Sequence, residues 1–485
     1  MADTPSHPAG TQQSRGLKVI LDSAMFFSSQ VAARALNFFY FMVLAWSLPT
    51  DEFGILNYAI SIVVMIDIVI DLGLSRHAMR EMSKHPEQTS AYIMRLIPYK
   101  IAISLLTLAA LWVWVTASGQ AGDYTLILLF TSLGLLFSAP SMMLENVLQA
   151  HHKFAVISAA HMALSVVQFA VGGAILWFGG STIAIAMTFT LTYLVYSSFM
   201  VWGVVSVGVT WQWRPDFSAL LRSLPAAFPY LCSALIVLLA VRAEFLVLGL
   251  YGTAIDLGTF GIAAKIVEAA LLLPLALATV MAPRFSKAHS IGPQPLSALY
   301  FSGLEVLLLL AFPAAIVTYA LAPVLPMLLS DRAFGDLQSV VRHLFVGYPA
   351  ACVFLFNTAI LFGAQKQRYP LILLLSLAAT QLAINFVLQS HYGLSGAVLS
   401  FGLFMATAAL VSSTFILVAY AKGPGLSKAL AAPGLAALVS LPVLLLAPVE
   451  YETVAIIGGL VIYMLTAGLV RKLLPGGANK LQLSV

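Results

Sequence analysis

Ten charged residues stand inside long apolar runs of this 485-residue chain: Arg34, Lys100, Arg242 and Lys265, with Asp67, Asp71, Glu145, Glu244, Glu268 and Glu305. A charge at the centre of a bilayer costs at least about 2.5–3.5 kcal/mol, so each needs a partner, a water-filled cavity or a route to the interface. Their types offer two kinds of chemistry. A guanidinium stays charged and grips carboxylate or phosphate oxygens through two parallel hydrogen bonds, which suits Arg34 and Arg242 to holding an anion. A carboxylate withdrawn from water can take up a proton or a monovalent cation, the chemistry that Asp67, Glu244 and Glu268 could supply. The alternative is that these charges pair with one another and hold helices together. Lys265 and Glu268, three residues apart on one helical face, can neutralise each other in this way. Four cations stand against six anions, so counting does not decide between the two.

Depth separates the set. Lys100 lies near the end of its segment and is expected to snorkel. Asp71 and Glu145 are expected to pair with nearby basic loops, Asp71 with Arg76 or Arg80, while Asp67 is one turn deeper on the same face. Arg34, Arg242, Glu244, Lys265 and Glu268 are deepest.

The elements that must carry these residues are membrane helices. The chain is 61% hydrophobic and only 9% charged, against about 25% charged in soluble domains. About fourteen apolar segments are each near the 20 residues that cross a bilayer, and helices are the spans that satisfy their own backbone. Basic residues alternate between successive connections, with 18 of the 24 Lys and Arg on one side. That side is expected to be cytoplasmic, and an even number of crossings puts both termini there, as in a multi-pass bacterial cytoplasmic (inner) membrane protein. The net charge of +5 then reflects topology and membrane lipids, not nucleic acid. No Gly-x-x-x-x-Gly-Lys-Ser/Thr run and no soluble domain is present, which argues against ATP-driven pumping by this chain.

Smaller signals complete the pattern. Residues 1–20 read as a disordered cytoplasmic tail. Cys232 and Cys352 read as packing thiols, and His151-His152-Lys153 as a topology anchor; no metal, cofactor or catalytic residue is expected. Gln30, Asn37, Asn357, Gln381 and Asn385 read as interhelical hydrogen-bonding groups, and Pro274 and Pro313 imply kinks. A shift of 204 residues lays Phe53-Gly54 over Leu257-Gly258 and Arg80 over Arg284. Such a repeat divides the chain into an N-lobe of six helices (21–210), a C-lobe of six (211–421) and an appended pair (422–485). Arg34 and Arg242 then occupy the same helix of the two halves, facing a central cavity.

Several motifs carry a resemblance. Leu48-Pro49-Thr50-Asp51-Glu52-Phe53-Gly54, followed by Tyr58-Ala59, resembles the first outer turn of polysaccharide flippases, and Asp71-Leu72-Gly73-Leu74 with Arg76 and Arg80 is similar to their second-helix ending. Arg242-Ala243-Glu244-Phe245-Leu246-Val247-Leu248-Gly249 looks like their seventh helix, where Asp is commoner than Glu244. The stretch from Ala263 to Pro283-Arg284-Phe285-Ser286 resembles the eighth. The family is the O-antigen or exopolysaccharide flippase branch of the multidrug/oligosaccharidyl-lipid/polysaccharide exporter superfamily. The resemblance implies an all-α fold with two six-helix lobes around a V-shaped cavity plus an extra helix pair. It also implies a saccharide joined to polyprenyl pyrophosphate as substrate, moved between leaflets for cell-surface polysaccharide biosynthesis.

On that basis Arg34, Arg242 and Lys265 are expected to hold the pyrophosphate, and Asp67, Glu244 and Glu268 to serve ion coupling or gating. A polysaccharide polymerase and a chain-length regulator are the protein partners such a role admits. The rivals are a lipid II flippase, a cation-coupled drug exporter, or a membrane glycosyltransferase or polymerase, the last disfavoured by uniformly short loops. The topology is directly testable: reporter fusions at Ser14, Lys84 and Gln482 should behave as inside, and those at Asp51, Asp256 and Glu452 as outside. A consistent inversion, or an odd number of crossings, would sink the two-lobe expectation.

Overall fold

The structure, a computed structural model, describes residues 9–118, 123–209, 217–328, 336–363, 368–420, 430–431, 433–436 and 461–468. They form helices in succession: α1 (Ala9–Ser47), α2 (Thr50–Asp71), α3 (Leu74–Lys84), a 3₁₀ turn (Pro86–Gln88), α4 (Thr89–Ser118), α5 (Asp123–Ser132), α6 (Leu135–Ala150), α7 (Phe154–Trp177) and α8 (Thr182–Val205). Then come α9 (Phe217–Tyr251), α10 (Ala254–Ala270), α11 (Leu272–Ile291), α12 (Pro293–Leu321), α13 (Val324–Leu328), α14 (Leu337–Gly363) and α15 (Arg368–Ala419). Among the described residues, 9 helical stretches are long and apolar enough to cross a membrane. This is an all-helical multi-pass membrane protein.

The count of about fourteen spans is not reached within the described residues. One stretch, Leu371–Ala419, holds two of the expected spans in a single 49-residue run, and the expected final pair (422–485) lies mostly outside the described residues. The tail expected over 1–20 is also different, since α1 is helical from Ala9. No proline falls between Pro8 and Pro49, so nothing in that interval interrupts the backbone hydrogen-bond ladder.

The chain divides into two compact units, one made of Met1–Leu48 and Ile55–Leu235, the other of Pro49–Gly54 and Ile236–Val485. The division falls within α9, in place of the boundary expected at 210/211. In the first unit, Leu220 and Ala227 from the start of α9 join a core with Leu74, Ala78, Met82, Met143, Val147 and Tyr196. Helices α1 and α7 pack there through small and polar residues. Ser165 Oγ donates to the Ala33 carbonyl at 3.3 Å, and Asn37 Nδ2 to Gln168 Oε1 at 3.4 Å. At Gly172 a Cβ would meet the Tyr40 hydroxyl at 2.3 Å, so only glycine admits the ring. Positions 33, 37 and 40 follow the i, i+4, i+7 spacing of one face, which leaves Arg34 on an exposed side of α1.

In the second unit, a Cβ on Gly54 would lie 2.3 Å from the Ala254 carbonyl, and one on Gly258 would lie 2.2 Å from that of Thr50. These are the two glycines that the 204-residue shift superposes. Near the chain's end, Ala436, Tyr463 and Ala467 cluster with Ile316 of α12, and the Tyr463 hydroxyl donates to the Leu308 carbonyl at 3.3 Å.

The kink expected at Pro274 appears as the break between α10 and α11 at Leu271. Proline has no N–H, so the carbonyl four residues back, Ala270, loses its helical donor. The Tyr348 hydroxyl of α14 supplies one at 2.8 Å. Pro313, by contrast, lies within a continuous α12. Tyr348→Phe should therefore cost about 1–3 kcal/mol, the penalty of an orphaned buried acceptor, measured as a lowered thermal unfolding midpoint. With Pro274→Ala as background the restored N–H should shrink that cost. Equal penalties in both backgrounds would refute the pairing.

Candidate functional site

Two cations of the second unit meet on one carboxylate. Arg242 Nη2 of α9 lies 2.8 Å from Glu268 Oε1 of α10, and Lys265 Nζ lies 3.1 Å from Glu268 Oε2. The Lys265–Glu268 contact is the expected i, i+3 pair; Arg242 joins it from another helix, to which no local spacing points. All three side chains are more buried than exposed, at 17%, 9% and 26% of full exposure for Arg242, Lys265 and Glu268. Within this triad two positive charges share one negative, so an incoming anion can take one cation from Glu268 and leave the carboxylate paired with the other. A buried carboxylate stripped of every partner is strongly disfavoured, and the shared arrangement avoids that state.

Glu244 belongs to a different environment. It is 2% exposed, and its Oε1 accepts from Gln381 Nε2 of α15 at 3.0 Å. Gln389 Nε2 donates to the Glu244 backbone carbonyl at 3.1 Å and also bonds Asn385 Oδ1. Asn385 Nδ2 donates to the Gln381 carbonyl at 2.9 Å, and Ser400 Oγ donates to Asn385 Oδ1 at 2.7 Å. No cationic side chain reaches Glu244 among the described residues. The Gln381 and Gln389 side-chain oxygens are buried and without a hydrogen-bond donor there. A carboxylate beside spare amide oxygens is suited to a proton or a hard monovalent cation. Gln389 and Ser400 had gone unread in the sequence. The i, i+4, i+8 spacing of Gln381, Asn385 and Gln389 was the signal available for the first of them.

The first unit holds its own buried charges. Lys100 does not snorkel: it is 0% exposed, and its Nζ lies 2.6 Å from Asp71 Oδ1 and 2.9 Å from the Ala139 carbonyl. Ser75 Oγ also donates to Asp71. Asp71 thus pairs with Lys100, in place of Arg76 or Arg80, because α4 brings the ammonium to the end of α2. Asp67, one turn away, takes no share of that ammonium by direct contact. Its Oδ1 and the Ser138 Oγ are buried with no hydrogen-bond partner among the described residues.

Among the described residues, Glu145 pairs with no basic loop. It accepts from Tyr196 Oη at 2.5 Å and Gln149 Nε2 at 3.0 Å, with His161 Nε2 at 3.5 Å. Arg34 lies in this unit and forms no ion pair among the described residues. Glu305 is buried in α12.

The structure therefore brings together Arg242, Lys265 and Glu268, sets Glu244 of α9 apart against α15, and leaves Arg34 and Asp67 in the other unit. The Asp71–Lys100 pair gives a stability test. Lys100→Met should cost about 3–5 kcal/mol by stranding a buried carboxylate, while Lys100→Met with Asp71→Asn should recover much of it. Thermal unfolding of purified protein checks both. If the double variant is as unstable as the single one, packing and not the ion pair sets the cost.

The profile of the polysaccharide biosynthesis protein family matches residues 21–289, more than half of the chain. No curated protein matches the sequence. The fold is similar to that of the lipid II flippase MurJ in an inward closed conformation, with a TM-score of 0.75 at 14% identity over 93% of this chain and 99% of that one. An inward-facing multidrug resistance MATE-family transporter of the MOP superfamily is similar at 0.66 and 15% identity, over 79% of this chain and 93% of that one. A MOP-superfamily transporter from Pyrococcus furiosus Vc1 is similar at 0.54 and 15% identity, over 82% and 94%. At such identities the structures speak for the fold alone, and the profile speaks for the family. This chain belongs to the polysaccharide biosynthesis protein family, and it is a multi-pass membrane protein whose fold is similar to those of MurJ and a MATE-family transporter.

Proposed function

We propose that this protein is a flippase, turning a polyprenyl-pyrophosphate-linked oligosaccharide from the cytoplasmic to the outer leaflet of the bacterial cytoplasmic membrane by alternating access. The observation that carries the proposal is the Arg242–Glu268–Lys265 triad, set in membrane helices of a chain from the polysaccharide biosynthesis family. A pyrophosphate cannot enter hydrocarbon bare, and two cations that can be lent by a shared carboxylate give it counter-charge at depth. Arg34, which has no ion-pair partner among the described residues, is assigned a pyrophosphate-binding role in the first unit. The prenyl chain stays in lipid throughout, so no covalent step is needed. A polymerase and a chain-length regulator would receive the product.

Ion coupling is assigned first to Glu244, whose carboxylate is held by an amide and not by a cation. Asp67, with its unpartnered buried oxygen, is the corresponding group of the first unit. Glu268 has the gating role, because it competes with the anionic substrate for its two cations. Protonation or a bound monovalent cation would change the charge of each of these sites by one. That lets an ion gradient bias one cavity opening over the other, to the extent of its differential affinity for the two states.

Reconstitution with a fluorescent lipid-linked oligosaccharide tests the assignment. Arg242→Lys and Arg34→Lys should each slow initial flipping about tenfold or more, since a charged hydrogen bond contributes about 1.5–3 kcal/mol and an ammonium does not reproduce the guanidinium fork. Glu244→Gln should abolish the response to an imposed pH or Na⁺ gradient. Native rates in Arg34→Ala and Arg242→Ala would remove the anion site. Wild-type rates indifferent to pH gradient, Na⁺ gradient and membrane potential would remove coupling and leave a passive flippase.

A further inference from the structure

Helix α3 stands between two candidate membrane spans, Thr50–Asp71 and Pro86–Trp114, so both of its ends are tied to the membrane boundary. Its sequence is divided by face. Leu74, Ser75, Ala78 and Met82 are buried, and Leu74, Ala78 and Met82 belong to the core of the first unit. Arg76, Arg80 and Lys84 are exposed and follow one another at i, i+4 and i+8. In an α-helix that spacing confines them to a stripe about 80° wide and about 12 Å long, directly opposite the buried face. The groups beside the stripe are few. Arg80 Nη1 donates to the Tyr230 hydroxyl of α9 at 3.1 Å, the His77 ring lies tilted beside the same ring with centroids 6.4 Å apart, and Lys84 meets Glu81 at 2.8 Å. Arg76 and Arg80 form no ion pair among the described residues.

We propose that the Arg76–Arg80–Lys84 stripe is a binding surface for the headgroups of anionic phospholipids in the leaflet beside α3. Three cations set singly, each about 6 Å from the next, match a field of monoanionic headgroups better than one compact dianion, which a single guanidinium fork already satisfies. The amphipathic division, with apolar residues inward and basic residues outward, is the pattern of helices held at a lipid interface. The surface is separate from the triad on α9 and α10 and does not depend on what the protein transports. It also acts on the machinery, because α3 continues α2 through only Leu72 and Gly73, both with positive φ, 49° and 75°. Lipid held on α3 therefore steadies the inner end of α2, where Asp71 and Lys100 pair.

The test uses the full chain purified in neutral detergent. Dissociation constants of phosphatidylglycerol and phosphatidylcholine are read from lipid adducts by native mass spectrometry. Wild type should prefer phosphatidylglycerol, and R76Q/R80Q/K84Q should lose that preference at least tenfold. Each cation near an anionic surface contributes about 1 kcal/mol, so a tenfold loss asks for less than half of the stripe. R76K/R80K should retain the preference, and 1 M salt, with a screening length of about 3 Å, should remove it. If the glutamine variant does not fold, K84E alone carries the test and should weaken phosphatidylglycerol measurably without touching phosphatidylcholine. Unchanged headgroup preference in these variants would overturn the proposal. Displacement of phosphatidylglycerol by equimolar inorganic pyrophosphate would overturn it too, since the stripe would then be a site for a compact dianion.

Discussion

A charge carried into hydrocarbon must bring its partner with it, and the helices of this protein are arranged around that requirement. Asp71 and Lys100 come from α2 and α4, and Arg242 and Glu268 from α9 and α10, so each ion pair fixes two helices at one height. The pairs need not be stabilising against apolar residues of equal size. Their effect is specificity: sliding either helix by one turn would strand a charge, whereas an apolar contact would lose little. Glu244 and Asp67 mark where the rule is relaxed, with a carboxylate beside amides or a hydroxyl and, among the described residues, no ammonium or guanidinium in contact. A carboxylate locked to a cation does not respond to an ion gradient, so the proposed coupling rests on these exceptions.

The same accounting extends to the backbone. Pro274 frees the Ala270 carbonyl, and the hydroxyl of Tyr348 occupies it from another helix. Gly172 makes room for Tyr40, whose ring would otherwise hold α1 and α7 apart. In both cases a residue that weakens a helix in isolation is placed where a neighbour compensates, which membrane helices tolerate because the neighbour is protein and not lipid.

Much of this was legible in the residues. Apolar run lengths and the alternation of Lys and Arg gave the fold class, and the i, i+3 spacing gave the Lys265–Glu268 contact. What the sequence could not supply was contact between distant segments. Lys100 was expected to reach the interface because its position along the chain is shallow, yet α4 sets it against Asp71 and Ala139. Arg242 was placed on its helix but not with Glu268, since no local spacing relates α9 to α10. Residues 9–20 were judged by polar composition, and composition says little where no proline interrupts a helix. Gln381 and Asn385 were noted singly, and their shared face with Gln389 emerges only when the i+4 series is followed to its end.

The turn at Gly393 bears on how the protein is built into a membrane. Ser400 and Asn385 are 15 residues apart and hydrogen-bonded at 2.7 Å, whereas a straight helix would separate them by about 22 Å. Gly393, at φ 52° and ψ −125°, lets the two arms of α15 fold back so that the bond forms. During biosynthesis the arm carrying Gln381, Asn385 and Gln389 is a poor candidate to enter lipid alone, because its own i+4 bonds leave other polar groups of these amides to meet hydrocarbon. Folded against the second arm, it gains the Ser400 hydroxyl as a further partner. The pair is therefore suited to leave the translocation machinery as one helical hairpin, and a substitution that stiffens residue 393 would act on assembly before any effect on transport could be seen.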